Sequence, residues 1–430
     1  MRNTNIVWLL VVFGLLLVVY SVFSYSFTDP NLVLTGWQPY WQFQLWMWKN
    51  IFSNKVLVMS TFSFLVTGFF VCYLLLIKEL KKLDFLKVEK KHILIYGVLI
   101  ACLTFSYNAL SHDVFNYIFN AKMVNVYQEN PHVKTALEYP QDEWTRFMHN
   151  THTPAPYGYG WTVLSIIPLV IGSQIFSATW LLFRVIEIVS IGLLYITLQR
   201  TAKVLLKREL KLHELAILFL NPLFLIEVVS NMHNDLWMMI PGIAAVAVTA
   251  KYSSNIIRTV VVAGLLLAAS ISIKFATVVL LLPMILVLAQ RTLLEKMISQ
   301  YVKRFPFSPK ITHWLTNLIE RWTVQYLPLV SSVLLFLPLL TSRSQQFHPW
   351  YLLWSMSWLP LIKQQYWKTI MIVFSFSSLL RYLPWMYLDG FAKNTLLWQQ
   401  LISWGVPLAF LMIWIIRQNI QTQKTLRNTV

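Results

Sequence analysis

Asp113 belongs to the first group of residues whose types and spacing could perform chemistry. The chain reads Ser-His-Asp-Val-Phe-Asn-Tyr from residue 111, so that Asn116 and Tyr117 follow Asp113 by three and four positions. Residues with this spacing share one face of a helix. A carboxylate beside amide and hydroxyl groups can exchange protons with a hydroxylated substrate. We therefore treat this face, with the preceding His112, as a candidate site.

A second polar group, Asn-Met-His-Asn-Asp at 231–235, directly precedes an apolar segment. Asn and Asp are common at helix N-caps, so one interpretation is a helix start without a further role. A cap requires only one such side chain, whereas His233, Asn234 and Asp235 supply three at the edge of the membrane. Such a group could instead form a polar site, and both interpretations stay open.

Two further groups contain cations. Lys274 ends the run Ser-Ile-Lys between two short apolar segments, where an unpaired charge is costly. Its side chain could reach the membrane interface from a helix end, or could bind a lipid-linked phosphate. Arg343 and His348 belong to the run Arg-Ser-Gln-Gln-Phe-His-Pro-Trp-Tyr at 343–351. Trp and Tyr alone are typical of an aromatic belt, but the added Arg and His favour the polar rim of a lipid-accessible groove.

Arg184, Glu187 and Glu227 are ionisable residues inside apolar helices. Arg184 and Glu187 are three positions apart, which predicts a structural ion pair, although intramembrane charges are also candidates for function. The sequence has no Walker A motif, no glycine-rich dinucleotide loop and no Gly-x-Ser-x-Gly elbow. Nucleotide-driven chemistry is therefore not expected and no cofactor is predicted, while a divalent metal at Asp113 and Asp235 stays open.

Composition places these groups in a membrane protein. Of the 430 residues, 57% are hydrophobic and 12% are charged, against about 25% charged residues in a soluble domain. Apolar stretches long enough to cross a bilayer recur along the chain. This pattern excludes a soluble enzyme, a secreted disulfide scaffold and a disordered protein. We expect an all-α polytopic fold of about 12 or 13 helices with a large outer loop.

Basic residues orient the chain in the membrane. The formal net charge is +18, and the Lys and Arg side chains lie in short loops between apolar segments. Because cytoplasmic loops are enriched in these residues, the Lys-rich segment Lys78–His92 is predicted to face inward. That orientation places Ser111–Gly160 on the outside. Nucleic-acid binding is not expected, because no basic soluble domain is present.

The chain is expected to form one integral-membrane domain over 1–430. It divides into N-terminal spans with a basic cytoplasmic loop (1–92), a core (93–362) and C-terminal spans with a basic tail (363–430). The outer loop 111–160 is longer than a connection requires and rich in aromatic residues, which favours a function over disorder. Its residues from 114 to 126 are predicted to form an amphipathic helix lying on the membrane surface.

The number of crossings stays open between residues 159 and 198. Trp161–Gly172 and Phe176–Leu198 could be two helices, yet the positions of the basic loops require an odd number of crossings there. The first of these segments could therefore be a re-entrant or interfacial helix. The alternative is that one basic loop lies on the outer side.

The ordered set of motifs resembles the GT-C superfamily of integral-membrane glycosyltransferases, and especially the bacterial polyprenol-phosphate-mannose-dependent mannosyltransferases. The matching pieces, which cover roughly residues 90–360, are Asp-Val-Phe-Asn-Tyr at 113–117, Asn-Pro-His at 130–132, Pro-Tyr-Gly at 156–158, Asn-Pro at 221–222, His-Asn-Asp at 233–235, Ser-Ile-Lys at 272–274 and His-Pro-Trp-Tyr at 348–351. The chain departs from the family at Tyr159, where Pro is frequent, and in two extra spans before the outer loop.

The resemblance implies a role for each group. An acidic residue of the first large outer loop serves catalysis in that family, which here makes Asp113 the general base of a single displacement with inversion. The leaving phosphate is expected to contact Lys274, with Arg146 and Arg343 as alternates. The other implied substrate-binding residues are His112, Asn116, Tyr117, Asn130, Tyr157, His233, Asn234, Asp235 and His348.

The same resemblance implies the partners. The donor is a hexose, mannose by resemblance, linked to a polyprenyl monophosphate. The acceptor is a hydroxyl of a glycan or glycolipid on the outer face of a bacterial plasma membrane, and membrane lipids surround the protein. A transporter or flippase of lipid-linked sugars or small solutes is the main alternative, because it would use the same intramembrane charges. A scaffold subunit without chemistry is a third interpretation.

Overall fold

The computed structural model describes residues 2–29, 32–83, 88–251, 255–290, 325–341, 347–388 and 393–428. Every regular element in these ranges is helical, which confirms the predicted all-α class. The helices are α1 (Arg2–Ser24), α2 (Gln38–Met47), α3 (Lys55–Lys81), α4 (Lys90–Ala101), α5 (Asp113–Asn125), α6 (Tyr159–Ile171), α7 (Phe176–Leu205), α8 (Leu212–Phe219), α9 (Pro222–Phe224, continued by a π-helix at Leu225–Ser230), α10 (Asp235–Ala250), α11 (Ile256–Ile273), α12 (Phe275–Gln290), α13 (Gln325–Leu340), α14 (Leu352–Met356), α15 (Gln365–Leu380), α16 (Tyr382–Tyr387), α17 (Lys393–Gln400) and α18 (Val406–Asn428).

Several of these helices can cross a membrane. Six segments are long and apolar enough, namely Thr4–Phe27, Lys55–Lys81, Phe176–Leu205, Ile256–Ile273, Gln365–Tyr387 and Asn394–Arg417. Helices α8 and α9, bent by 53° at their junction, would together form a seventh. The chain is therefore a multi-pass membrane protein. Four further apolar helices in the described ranges are shorter, namely Tyr159–Ile171, Asp235–Ala250, Phe275–Gln290 and Gln325–Leu340.

The apolar stretch 93–110, which leads into the outer loop, is only partly helical. Helix α4 ends within it, and 102–112 continues as turns and irregular chain. In this segment the buried Asn108 accepts a hydrogen bond from the Trp180 indole (2.7 Å) and donates to the carbonyl oxygen of Ser230 (3.0 Å). These bonds fix the chain that leads into the outer loop.

Arg184 of α7 supplies donors for this break in the helix. Its fully buried guanidinium donates to the carbonyl oxygens of Leu103 (2.9 Å), Ser106 (2.7 Å) and Val229 (2.7 Å). Carbonyl groups freed from a helix within a membrane need such partners, because no water reaches them. The predicted ion pair between Arg184 and Glu187 is therefore wrong. The guanidinium binds backbone carbonyls instead, and no ion pair joins the two residues in the described part of the chain.

Helix α5 confirms the helix predicted for 114–126, but it does not lie on the membrane surface as predicted. Its residues from Val114 to Ala121 are all buried. The Phe115 ring packs on that of Phe147 from the later part of the loop, with ring centroids 5.3 Å apart. On other sides α5 contacts α6 and α7. The predicted position on the membrane surface is wrong, because the outer loop folds back over the helix.

A buried ion pair closes the outer loop onto α5. Lys122 Nζ lies 2.6 Å from Asp142 Oδ2, and the two side chains are 14% and 3% exposed. The Asp142 carboxylate also accepts hydrogen bonds from the Tyr127 hydroxyl (2.7 Å) and the Trp144 backbone N–H (2.9 Å). Burial alone would raise the pKa of Asp142, but these partners outweigh burial and lower it.

Asp142→Ala is expected to loosen the outer loop, because it leaves the Lys122 ammonium buried without its carboxylate. Breaking a buried pair costs about 3 kcal/mol or more. Hydrogen exchange of the amides in 128–150 should therefore accelerate. In the wild type, acidification should likewise lower the protection of these amides, measured as exchange relative to the intrinsic rate at each pH. Since the folded-state pKa of Asp142 is lowered, its stabilisation is complete above the unfolded-state pKa and is lost as the pH falls through the folded-state value.

The control for this prediction is Glu138→Gln. Glu138 pairs with Lys134 in the same loop, but both side chains are exposed, at 42% and 41%. Exposed pairs contribute little to stability. Exchange in Glu138→Gln should match the wild type, and equal exchange in Asp142→Ala would contradict the role given to the buried pair.

Candidate active site

Asp113 is the first residue of α5, and its side chain is 17% exposed. The dipole of the helix stabilises a carboxylate at this end. Asp113 Oδ2 lies 3.7 Å from Nδ1 of His233, which belongs to the turn before α10. Burial, followed by the charges of Asp113 and Asp235, raises the pKa of Tyr117. The face predicted from the spacing of Asp113, Asn116 and Tyr117 therefore turns toward the 231–235 motif.

The Pro-Tyr-Gly motif packs directly on the Ser-Ile-Lys motif. The Gly158 N–H donates to the carbonyl oxygen of Ile273 (2.9 Å). A Cβ at Gly158 would overlap the carbonyl oxygen of Ser272, so that only glycine permits this approach. The contact brings Lys274 Nζ to 5.7 Å from the centre of the Tyr157 ring. Two motifs that are distant in the sequence thus form one wall of the site.

Lys274 also joins the 231–235 motif. Its Nζ lies 2.7 Å from Asp235 Oδ1, and the Trp354 indole donates to the same oxygen. Asp235 is fully buried, whereas the Lys274 side chain is 14% exposed. A phosphate would therefore meet a lysine that is already paired. Lys274 could bind it only through the donors that Asp235 does not occupy.

Asn234 is fully buried, and neither polar atom of its amide has a hydrogen-bond partner within the described chain. It is the N-cap residue of α10 by position, yet its side chain makes no capping bond. Each buried polar group left unpaired costs about 1–3 kcal/mol. An N-cap role alone therefore does not explain Asn234.

Other buried polar atoms on neighbouring elements also lack hydrogen-bond partners in the described ranges. They are Asn116 Oδ1, the Tyr117 hydroxyl, Glu187 Oε1, both ring nitrogens of His233, Asp235 Oδ2 and Trp237 Nε1. This set combines donors and acceptors. A ligand rich in hydroxyl groups matches it, because each hydroxyl both donates and accepts a hydrogen bond.

Trp350 connects the His-Pro-Trp-Tyr motif to the others. Its ring stacks on His233 with centroids 3.9 Å apart and on His348 with centroids 4.3 Å apart. Burial, followed by the charges of Arg381, His233 and Lys274, lowers the pKa of His348 to about 3. His348 is therefore neutral near pH 7 and can donate or accept a hydrogen bond. All four sequence motifs thus contribute residues to one cluster.

The family comparison identifies the class of protein. The family described as alpha-(1->6)-mannopyranosyltransferase, N-terminal domain (MptA_B family), matches residues 8–291 of the 430. The chain belongs to this family. No curated protein and no solved structure matches it.

Family membership makes the protein a membrane mannosyltransferase, which confirms the predicted enzyme class and the resemblance on which that prediction rested. It favours mannosyl transfer over the transporter and scaffold interpretations. The matched range contains Asp113, His233 and Lys274, but it ends before His348 and Arg381. For His348 and Arg381, a role in the site of the mannosyltransferase is supported by their position in the structure and not by the family match.

His112 lies beside the cluster rather than within it. Its Nδ1 is 2.9 Å from the carbonyl oxygen of Phe147, and its ring stacks on His149 with centroids 3.7 Å apart. Burial, followed by the charge of His149, lowers the pKa of His112 to about 4. His112 thus holds the outer loop against the start of α5, while its substrate contact stays a prediction.

Asn130 and Arg146 lie on exposed parts of the outer loop. The side-chain oxygen of Asn130 accepts from the backbone N–H of His132 (3.0 Å), as in an Asx-turn. Arg146 belongs to a short 3-10 helix, Glu143–Phe147. Arg343 lies outside the described residues. Among the described residues, no group of three or more His, Cys, Asp or Glu could hold a metal ion.

Arg381 is the site residue that sequence reasoning missed. It lies between α15 and α16, it is 4% exposed, and its Nη1 is buried without a hydrogen-bond partner in the described part of the chain. A buried cation without compensating partners is unfavourable, which points to an anionic ligand. The sequence signal was a single Arg between two apolar runs, Ser-Leu-Leu and Tyr-Leu-Pro.

Proposed function

We propose that this mannosyltransferase takes mannose from a polyprenyl-monophosphate donor and transfers it to an acceptor hydroxyl on the outer face of the membrane. Asp113 is the general base. The observation that carries the proposal is the position of Asp113, a partly exposed carboxylate 3.7 Å from a buried histidine and beside a set of buried polar groups. A base must be reachable by the acceptor, whereas the groups that bind the sugar can be enclosed.

The reaction is a single displacement. Asp113 accepts the proton of the acceptor hydroxyl, and the acceptor oxygen forms a bond to the anomeric carbon of mannose. The bond between that carbon and the phosphate oxygen breaks, and the lipid phosphate leaves with the electron pair. Because attack and departure occur on opposite sides of the carbon, the anomeric configuration inverts.

The buried amides would orient the sugar. Asn234 and Asn116 offer donors and acceptors that lack protein partners among the described residues, and Asp235 Oδ2 offers an acceptor. Hydroxyl groups of mannose can satisfy all three. Holding the anomeric carbon near Asp113 lowers the entropic barrier to transfer.

Cations on the other side of the cluster would stabilise the departing phosphate, which gains negative charge in the transition state. Lys274 and Arg381 both act electrostatically on His348, which supports a place for both cations near this residue. A lipid monophosphate needs this charge and a path into the membrane, and it needs no nucleotide-binding loop.

The basic loops support the proposed orientation. Lys81 at the end of α3 and Arg208 after α7 both act electrostatically on Lys368 of α15. The Lys-rich segment predicted to face inward therefore lies near a second basic loop, which contains Arg208. With the positive-inside rule, this supports a plasma-membrane enzyme whose outer loop carries the site.

Sealed proteoliposomes of the purified protein test the donor class. Radiolabelled mannose is supplied either on polyprenyl monophosphate or on a nucleoside diphosphate, together with a mannan acceptor outside the vesicles. We expect label to reach the acceptor only from the lipid donor. Label taken from the nucleotide donor would overturn the proposal. Label that stays on the lipid but changes leaflet would favour a flippase instead.

Arg381→Gln is expected to raise the KM for the lipid donor about 30-fold, since a buried ion pair with a ligand contributes about 2 kcal/mol or more. The matched control is Lys368→Gln, which removes another buried cation from α15, near the predicted inner loops. Its donor KM should stay within threefold of the wild type. Initial rates over a range of donor concentrations give both values, and an unchanged KM in Arg381→Gln would exclude phosphate binding by Arg381.

A further inference from the structure

His233 lies between two carboxylates. Its ring is fully buried, with Nδ1 3.7 Å from Asp113 Oδ2 and Nε2 3.3 Å from Glu227 Oε2. The stacked ring of Trp350 fixes the plane of the imidazole. An imidazole with a carboxylate at each nitrogen is suited to take up a second proton, because both carboxylates stabilise the imidazolium.

Glu227 is held rigidly for this contact. It is fully buried in the π-helix Leu225–Ser230. Oε1 accepts from the Tyr382 hydroxyl (3.0 Å), and Oε2 accepts from the Asn231 amide (2.8 Å). Both donors are neutral, and the His233 ring lies beside the same carboxylate, with Nε2 3.3 Å from Oε2. A buried carboxylate without a Lys or Arg partner is costly. Such an acid within a membrane is therefore a candidate for a function.

The backbone supports the same geometry. Met232 has a φ of 58°, a left-handed conformation that costs a non-glycine residue about 1 kcal/mol or more. This turn lets the His233 N–H donate to the carbonyl oxygen of Glu227 (3.1 Å). Both the main chain and the ring of His233 thereby face Glu227. π-helices and strained residues are frequent at functional sites.

We propose that Glu227 is a positioning residue that holds His233 with Nε2–H toward Glu227 and with Nδ1 toward Asp113. His233 then receives the proton that Asp113 takes from the acceptor hydroxyl. This inference rests on the proposed function for the identity of the base. It assigns Glu227 a role in proton transfer rather than in transport or packing.

The proton balance is simple. Asp113 becomes a neutral acid when the acceptor oxygen bonds to the anomeric carbon, and its proton passes to His233 Nδ1. The resulting imidazolium lies between the carboxylates of Glu227 and Asp113, which stabilise its charge. When the product leaves, the proton returns to Asp113 and from there passes to solvent. Of the three groups, the Asp113 side chain is the one that is partly exposed. Neither ring nitrogen of His233 makes a hydrogen bond in the described structure, at 3.7 Å from Asp113 and 3.3 Å from Glu227, and such contacts commonly tighten when substrate binds.

The first test needs no substrate, so its outcome is independent of the donor. In protein labelled with ¹⁵N-histidine, the His233 signals are assigned by their loss in His233→Gln. At pH 8 we expect the neutral ring with its proton on Nε2, and we expect Glu227→Gln to redistribute the proton between the two nitrogens. A proton on Nδ1 in the wild type, or the same distribution in Glu227→Gln, would overturn the positioning role.

The second test measures kcat against pH. Asp113 and Glu227 are the titratable groups that face the His233 ring, His233 and Lys274 both act electrostatically on the neighbouring His348, and only Glu227 changes. Glu227→Gln should lower kcat about 100-fold and move the acidic limb of the profile about one pH unit lower, because a carboxylate favours the imidazolium. Glu227→Asp should restore part of kcat. A fall in kcat without movement of the limb would indicate a structural role only and would overturn the relay.

If Glu227→Gln does not fold, a second pair of variants tests the same proposal. Tyr382→Phe removes one hydrogen bond from Glu227, and Tyr73→Phe removes an equally buried one from the carbonyl oxygen of Ile217 (2.7 Å), away from His233. We expect kcat to fall about tenfold in Tyr382→Phe, while Tyr73→Phe keeps it within twofold. Equal kcat values in the two variants would overturn the proposal.

Discussion

Asp113→Asn is expected to lower kcat about 10³-fold, because the amide cannot accept the proton of the acceptor hydroxyl. The KM for the lipid donor should stay within threefold of the wild type, since Asn keeps the shape of Asp and the sugar and phosphate contacts lie on other residues. The protein should also fold normally. The Asp113 side chain is partly exposed at a helix start, so its replacement leaves no buried charge behind.

Initial-rate kinetics in detergent or nanodiscs separate these parameters, with thermal unfolding as the check on folding. The matched control is Glu143→Gln, a neutralised acid on an exposed part of the same outer loop. It should transfer mannose at the wild-type rate. If Asp113→Asn retained more than a tenth of the wild-type kcat, Asp113 would not be the base, even if the donor class proved correct.

Gly158→Ala is expected to reduce transfer about 100-fold, because a displacement of about 1 Å at a catalytic group has an effect of that size. The new Cβ would collide with the carbonyl oxygen of Ser272, and two backbone segments would have to separate. Lys274 would move away from Asp235 and Tyr157 as a result. Overpacking of this kind also destabilises the fold by about 1–3 kcal/mol.

Gly192→Ala is the matched control for this substitution. Gly192 lies within α7, and a Cβ there would meet nothing within 4 Å. Alanine is the better helix former, so a small gain of about 0.5–1 kcal/mol is expected, with unchanged transfer. The unfolding temperature should therefore fall in Gly158→Ala and rise slightly in Gly192→Ala, and only Gly158→Ala should lose transfer. Wild-type activity in Gly158→Ala would show that the contact between the two motifs does not position the site.

Part of the site was predictable because it depends on local spacing and on the side of the membrane. The three- and four-residue intervals from Asp113 predicted the polar face of α5. The sequence also singled out four groups of polar residues, and the structure does bring residues of all four together. These inferences needed no knowledge of packing, which is why sequence alone could make them.

The remaining features depend on contacts between distant segments. No local pattern indicates that Lys274 pairs with Asp235, or that His233 lies between Glu227 and Asp113. The prediction of an Arg184–Glu187 ion pair was wrong for a similar reason. Arg184 binds carbonyl groups that have no helical partner because α4 ends early, and no local pattern indicated that end. Burial of α5 likewise follows from how the outer loop returns over it.

The anomeric configuration of the product tests direct transfer with Asp113 as base. The purified wild-type protein is given mannosyl polyprenyl monophosphate of known configuration, labelled with ¹³C at the anomeric carbon, and an acceptor with one free hydroxyl. NMR of the product then reports the new bond. We predict that the wild type forms an inverted product and that Asp113→Asn forms none. A product of retained configuration would contradict single displacement, and product formation by Asp113→Asn would contradict the role of Asp113.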